Sequence, residues 1–271
     1  MRRPYRGRVP NAAAEQTMPE ALRPWITGVR TSPRAGPAED AFVRLPDAST
    51  KVVLRVTADG HRDVLALGPR VRASYHDGNA TASCVELRLA PGAARPLLGV
   101  PVADLVGRAV PLDALPGSAA RRLASGLRWL DTDEVVPYLS ETLPELLPAT
   151  AESSRTALLL AGVEALSVRG DRAPAQVRDV AHELAVSERQ LRNLFTDGVG
   201  VSPKHYTRID RVRTVLTRAS TAPWSEVAAG TGYYDQSHMT SDFRALMGVP
   251  PRSYFTGRLP ATTPCRAGAR G

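Results

Sequence analysis

Residues 232–254 read GYYDQSHMTSDFRALMGVPPRSY, and their pattern decides the fold of the C-terminal half. Asp235 is placed to cap a helix, with Tyr234 expected to staple onto Met239. Met239, Phe243, Leu246 and Met247 share one helical face, and Gly248 followed by Pro250 and Pro251 stops the helix. The opposite face carries Gln236, Ser237, Thr240, Ser241 and Arg244. A merely solvated helix favours Glu, Lys and Arg. Neutral hydrogen-bonding side chains point instead to a surface that touches something.

The pattern occurs a second time upstream. GVSPKHY at 200–206 and GVPPRSY at 248–254 align at an offset of 48 residues. That offset carries Leu191 onto Met239, Phe195 onto Phe243 and the cap Ser187 onto Asp235. Ser187 and Gln190 form a capping box, and Val186 and Leu191 a staple. Leu191, Leu194 and Phe195 face inward, while Glu188, Arg189, Arg192, Asn193 and Thr196 face outward. Each such helix follows a shorter one and a tight turn, VRDVAHELAVS and WSEVAAGTGYYD. Ala181 and Ala228 permit close helix approach, and Ala185 and Gly232 occupy the turns. Here the offset is 47, so the second turn is one residue longer. This is the order of a helix-turn-helix unit, with its second helix presented outward. Ala185 is the imperfect position, since a non-glycine residue at positive φ costs roughly 1 kcal/mol.

Between the copies, PKHYTRIDRVRTVLTRAS places Tyr206, Ile209, Val212 and Leu216 on one stripe, interleaved with Arg208, Arg211 and Arg213. About 16 residues of helix span roughly 24 Å. With the width of the flanking units added, the two outward helices are expected about one DNA turn apart, ~34 Å.

The bulk numbers agree with a polyanionic partner. The chain of 271 residues is long enough for two modest domains, and its net charge is +8. Up to residue 150 there are 19 basic and 16 acidic residues; the shorter remainder has 16 and 11, so it is the more basic part. Nucleic acid or an anionic membrane surface would both suit that balance. No run of about 18 apolar residues predicts a membrane-spanning helix. MRRPYRGRVP is basic without the apolar core of a signal peptide. Cys84 and Cys265 alone give neither a disulfide framework nor a zinc site, which fits a cytoplasmic, nucleoid-associated protein.

Enzyme motifs fail on inspection, and no catalytic residue, metal site or cofactor is expected. HELAV at 182–186 has Val186 where a zincin needs its second His. GVSPK at 200–204 has Lys204 where a nucleophile elbow needs Gly. His61 and His76 lack the paired spacing of a metal cupin, and Cys84 alternates with apolar residues as a buried thiol does.

The fold class expected is α+β: a β-rich N-terminal domain with flanking helices, then an all-α domain of two helix-turn-helix units joined by a linker helix. Residues 1–40 read as a mostly irregular arm, with a docked segment at LRPWITGV. Residues 41–148 read as the β-rich domain, with strands in KVVLRVT, HRDVLALG and ASCVELRLAPG and helices from Val102 onward. PATAESS supplies a linker at 149–154, the helical domain covers 155–257, and 258–271 reads as a disordered tail.

The helical part resembles the AraC/XylS family of bacterial transcription regulators. VAHELAVSERQLRNLF, GVSPKHYTRIDRVRTVL and VAAGTGYYDQSHMTSDFRALMGVPPRSYF carry the resemblance, over about residues 155–256. It implies one chain inserting two recognition helices into successive major-groove segments of double-stranded DNA. Base contacts would come from Arg189, Arg192, Asn193, Gln236, Ser237, His238, Thr240 and Ser241. Ser187, Lys204, Arg244 and Arg252 would contact phosphate. Arg bonds guanine bidentately and the Gln236 carboxamide suits adenine N6 and N7. Many members have Arg where Asn193 and Ser241 stand; the first helix still has Arg189 and Arg192, whereas the second has only neutral groups plus Arg244, with Asp242 nearby to repel phosphate, so more affinity is expected from the first helix.

The N-terminal half is similar to a domain that precedes this module in actinobacterial regulators, through LPDASTKVVL and LRLAPGAARPLLGVPVADLVGRAVPLD. That likeness implies effector sensing or dimerisation. RNA polymerase, a small-molecule effector and a second copy of the chain are the further partners it leaves open. Two other readings stand beside this one: a small-molecule-modifying enzyme fused to a DNA-binding module, and a regulator governed by a protein partner.

Overall fold

The computed structural model describes residues 14–16, 18–32, 42–57, 60–77, 81–147, 154–170, 172–219 and 223–264. The expected linker up to Ser153, the start of the arm, most of the turn at Asp59 and the tail from Cys265 lie outside these residues.

Nine strands and ten α-helices are present among the described residues. The strands are β1 (Ala14–Gln16), β2 (Ile26–Ser32), β3 (Phe42–Arg44), β4 (Lys51–Thr57), β5 (Arg62–Leu67), β6 (Ser74–Asp77), β7 (Thr81–Leu89), β8 (Ala109–Pro111) and β9 (Thr263–Pro264). Helices α1 (Ala94–Leu98), α2 (Ser118–Leu127) and α3 (Val135–Leu146) close the N-terminal half. The C-terminal half is α4 (Ser154–Leu166), α5 (Val177–Glu183), α6 (Glu188–Gly198), α7 (Pro203–Arg218), α8 (Trp224–Gly230), α9 (Gln236–Met247) and α10 (Pro251–Phe255). The α+β class is therefore the observed one. Among the described residues no helix is long and apolar enough to cross a membrane.

The larger sheet has the order β1-β2-β7-β4-β5-β8 and is antiparallel throughout. Valine and leucine alternate along its centre, which puts Val52, Leu54, Val85 and Leu87 on one face. Leu97, Leu98, Leu123, Leu127, Leu139 and Leu143 from α1–α3 cover that face, and all are essentially fully buried. By area alone each such leucine contributes about 1.5–3 kcal/mol.

Three expectations need correction. Among the described residues of 1–40, where a mostly irregular arm is expected, Ile26–Ser32 is a full strand paired with β7. A register shift between Ile26 and Gly28 puts Ile26 and Val29 both into the core, so the period of two is broken where it would have been read. Nor is the stretch after Val102 wholly helical: one 3-10 turn, Val102–Leu105, precedes β8, which pairs Val110 with Ala66. The tail also differs up to its last described residues, as Thr263 pairs with His76 in a small sheet of order β3-β6-β9.

The second core is built on Leu159, Leu191, Phe195, Ile209, Val212, Met239, Phe243 and Met247. It does not stop at residue 155. Ala48 and Tyr75 are buried in it, with Val43, Leu45 and Val71 packed around them. Chain from the N-terminal half thus completes the core of the helical half.

Candidate nucleic-acid interface

The two helix pairs are built alike. After α5, Ala185 has φ 53°, the only positive φ at a non-glycine residue among those described. After α8, Gly232 has φ 73°. The left-handed residue lets the chain fold back: Val186 N–H donates to Ala181 O at 2.9 Å, and Tyr233 N–H donates to Ala228 O at 3.0 Å. These are equivalent bonds at the 47-residue offset of the sequence repeat.

Each following helix starts with the expected cap. Ser187 Oγ accepts from Gln190 N–H at 3.2 Å, and the Gln190 side chain returns to Ser187 N–H at 2.8 Å, completing the capping box. Asp235 Oδ1 accepts from His238 N–H at 2.7 Å. The expected staple of Tyr234 on Met239 is not formed, for Tyr234 is 94% exposed. Tyr233 is the buried tyrosine and sets its ring edge-on to His238, with centroids 5.3 Å apart. The extra residue in the second turn supplies the shift.

On α6, Leu191, Leu194 and Phe195 are buried while Arg189, Arg192 and Asn193 are exposed. On α9, Met239, Phe243, Leu246 and Met247 are buried; Gln236, Ser237, His238, Ser241 and Arg244 are exposed, and Thr240 is half-buried. Lys204 and Arg252 are exposed at corresponding positions in the first turns of α7 and α10. Ser187 is exposed too, with its hydroxyl donating to Gln190 Oε1 at 2.9 Å.

Asp242 corrects the sequence reading. Its carboxylate turns inward, is only 10% exposed and accepts from Arg208 Nε at 2.8 Å. A paired, buried carboxylate adds little repulsion at the outer face of α9. The other arginines of α7 are engaged as well. Arg211 lies over the Tyr233 ring at 5.3 Å, and Arg213 donates to Pro46 O at 2.9 Å and pairs with Asp47 at 3.5 Å. The basic interleaving of this helix holds the molecule together and is not an outward stripe.

The sequence reading missed how the N-terminal half engages both outward helices. Gly92 N–H donates to Gly198 O, the last residue of α6, at 3.1 Å. Ala73 N–H donates to Leu246 O at 2.7 Å, and the Tyr75 hydroxyl donates to Met247 O at 2.6 Å, in the last turn of α9. Terminal helix carbonyls lack intrahelical donors, and here the other half of the chain supplies them. No local signal marks Ala73, Tyr75 or Gly92 for that role.

The remaining chemical candidates resolve as structural. Burial pushes the Cys84 thiol up to about 12, so it is not a thiolate nucleophile. His61 pairs with Asp63 at 2.9 Å, and His76 bonds the Ser74 hydroxyl at 2.9 Å. Among the described residues no cluster of His, Cys, Asp or Glu could hold a metal ion.

Residues 180–257 match a protein-family model described as a helix-turn-helix domain. Over 78 residues, 28% of this chain, the sequence is 33% identical to the HTH-type transcriptional activator RhaR of Yersinia pseudotuberculosis serotype O:1b. RhaR of Yersinia pestis bv. Antiqua matches with the same identity over the same length. The chain spans 27% of the length of these curated relatives. Among solved structures, the C-terminal domain of AraT, a response regulator from Geobacillus stearothermophilus, is 20% identical with a TM-score of 0.35, covering 44% of this chain and 100% of that one. A transcriptional regulator with an AraC-type DNA-binding domain from Chromobacterium violaceum is 24% identical with a TM-score of 0.31, covering 41% of this chain and 96% of that one. ToxT from Vibrio cholerae O395 is 11% identical with a TM-score of 0.40, covering 86% of this chain and 97% of that one.

Proposed function

We infer from the AraC/XylS-type helix-turn-helix domain at residues 180–257 that this chain is a DNA-binding regulator of transcription. The observation that carries the reading is the repeat itself. Two units share their turn hydrogen bond and side-chain cap, and each presents a helix whose outer face is exposed and rich in hydrogen-bonding groups.

In this reading α6 and α9 enter successive major-groove segments of one duplex. The 16 residues of α7 join the units and span about 24 Å. Arg189, Arg192 and Asn193 read base edges from α6. Gln236, Ser237, His238, Thr240 and Ser241 do so from α9, with Gln236 suited to adenine. Lys204, Arg244 and Arg252 neutralise phosphates, and Ser187 at the start of α6 would contact phosphate on releasing its hydroxyl bond to Gln190. The N-terminal half regulates the reading helices: its ties to the last turns of α6 and α9 give an effector or a partner bound there a physical route to both.

The test uses a duplex recovered by the full chain from a randomised library. Arg192→Ala is expected to cost about 1–3 kcal/mol and to relax preference at one base position. Arg252→Ala is expected to weaken all duplexes alike and to flatten the salt dependence by about one unit of slope. Binding by the parent chain with no sequence preference would overturn the function; exchanged outcomes would reverse the two roles.

Ser241 provides a second measurement. It lies exposed on the outer stripe of α9, and its neighbour Asp242 is turned inward and paired. Ser241→Arg is therefore expected to tighten binding by about 1 kcal/mol through a charge-assisted hydrogen bond. A salt series on both proteins checks this, because one more displaced counterion steepens the slope. Equal affinities with parallel slopes would place residue 241 away from the duplex.

A further inference from the structure

The outer face of α9 does not stand alone. It forms one wall of an open cleft of about 1060 Å³, and the other wall is Arg72, Ala73 and Tyr75 with Pro260. Gln236, Ser237, Thr240, Ser241 and Arg244, five of the residues assigned above to contact DNA, line this same cleft. Arg72 belongs to the N-terminal half and is exposed. Among the described residues that line the cleft there is no Asp or Glu, and the two charged groups are both arginines.

The repeat shows what α9 lacks. At the 48-residue offset, Arg189 of α6 corresponds to Ser237 and Arg192 to Thr240. The second reading helix has thus given up two cations on its outer face and keeps only Arg244, opposite Thr196 of the first copy. Three arginines of the neighbouring α7 are no substitute, since Arg208, Arg211 and Arg213 are engaged on Asp242, Tyr233 and Asp47. Arg72 is brought up against α9 by two bonds beside it in sequence, from Ala73 N–H to Leu246 O and from the Tyr75 hydroxyl to Met247 O. These hold the segment at the C-terminal end of α9, and a helix lying in the major groove has phosphate backbone along its flanks.

We propose that this cleft takes one strand of the duplex backbone, and that Arg72 of the N-terminal half is a phosphate ligand there, paired across the cleft with Arg244. The proposal rests on the DNA-binding reading above. It makes the N-terminal half part of the DNA interface of the second helix-turn-helix unit. A guanidinium suits the role because its planar fork bonds phosphate oxygens in pairs.

The experiment compares full-length Arg72→Ala, Arg72→Lys and Arg72→Glu with Arg192→Ala. Each is titrated across a salt series with the library-selected duplex and with a scrambled one. Arg72→Ala is expected to weaken both duplexes alike, by roughly five- to tenfold, and to flatten the slope of log affinity against log salt by about 0.9. Arg72→Lys keeps the slope, and Arg72→Glu weakens binding further than alanine does. Unchanged affinity and slope for Arg72→Ala, while Arg192→Ala still relaxes sequence preference, would overturn the proposal and leave the DNA-reading assignment standing. Tighter binding by Arg72→Ala would overturn it too, because the segment would then be obstructing α9. A parent chain that does not discriminate the two duplexes would bring down the underlying reading with it.

Discussion

Arg208→Ala is expected to destabilise the chain by about 3–4 kcal/mol and to loosen α9 from α7. The reason is the carboxylate it leaves behind. Asp242 is 10% exposed, and its Oδ1 accepts from Arg208 Nε at 2.8 Å. Its Oδ2 has no hydrogen-bond partner, and His238 Nε2 stands 3.9 Å away. Removing the guanidinium strands a largely buried charge without its partner, which is the costly way to break an ion pair. Urea unfolding reads the loss in the midpoint. Adding Asp242→Leu should restore most of it, since an apolar pair replaces a buried ionic one at little cost. A double variant no more stable than the single one would show that Arg208 acts through its packed aliphatic stem instead.

Asp47→Asn is the second large expected loss. Asp47 is buried where the two halves meet, and three cations converge on it: Lys51 at 3.1 Å, Arg88 at 3.6 Å and Arg213 at 3.5 Å. Burial alone would raise its pKa, but Arg213, Lys51, Arg88 and the Ser49 amide outweigh burial and hold the carboxyl well below the usual carboxylate range. A folded pKa depressed in this way contributes stability that is complete above the unfolded value of about 3.9 and is lost as pH falls below it. Asparagine keeps the shape and removes the charge on which three cations converge, leaving Glu86, 3.1 Å from Lys51, as the nearby countercharge. A fully buried pair broken this way costs about 3–5 kcal/mol; partial hydration of Arg88 and Arg213 brings the expectation to about 2–3 kcal/mol at neutral pH. Thermal or urea unfolding against pH checks both parts. The parent should lose stability on acidification through this range, and the gap between parent and variant should narrow. A constant gap at all pH values would mean that the Asp47 charge is not what joins the halves.

The helical half was legible because its information is local. Ser187 with Gln190, Asp235 at its cap, Gly232 in its turn and the apolar backs of α6 and α9 all act within a few residues, so spacing alone reports them. The central strands β4, β5 and β7 were legible for a similar reason, as their β-branched runs bury one face of a sheet. Strand β2 was not, because its bulge puts Ile26 and Val29 on the same side. Strand β8 has three residues and exists through its pairing with β5. Tyr233 and Tyr234 are adjacent tyrosines, and only the path of the chain after Gly232 decides which of them is buried.

What the sequence determined by itself was the repeated helix-turn-helix architecture, the α+β division and the exposed side chains of both outward helices. Each depends on the order of residues along one helix or strand, and the 3.6-residue and two-residue periods make that order readable. What only the tertiary structure decided was the use of the charges. Asp242 points to Arg208 and not to solvent, Arg213 reaches Asp47 across 166 positions of chain, and Arg72 arrives beside α9 through hydrogen bonds at Ala73 and Tyr75. Coulomb energy depends on distance in space and on burial, and neither is written into separation along the chain.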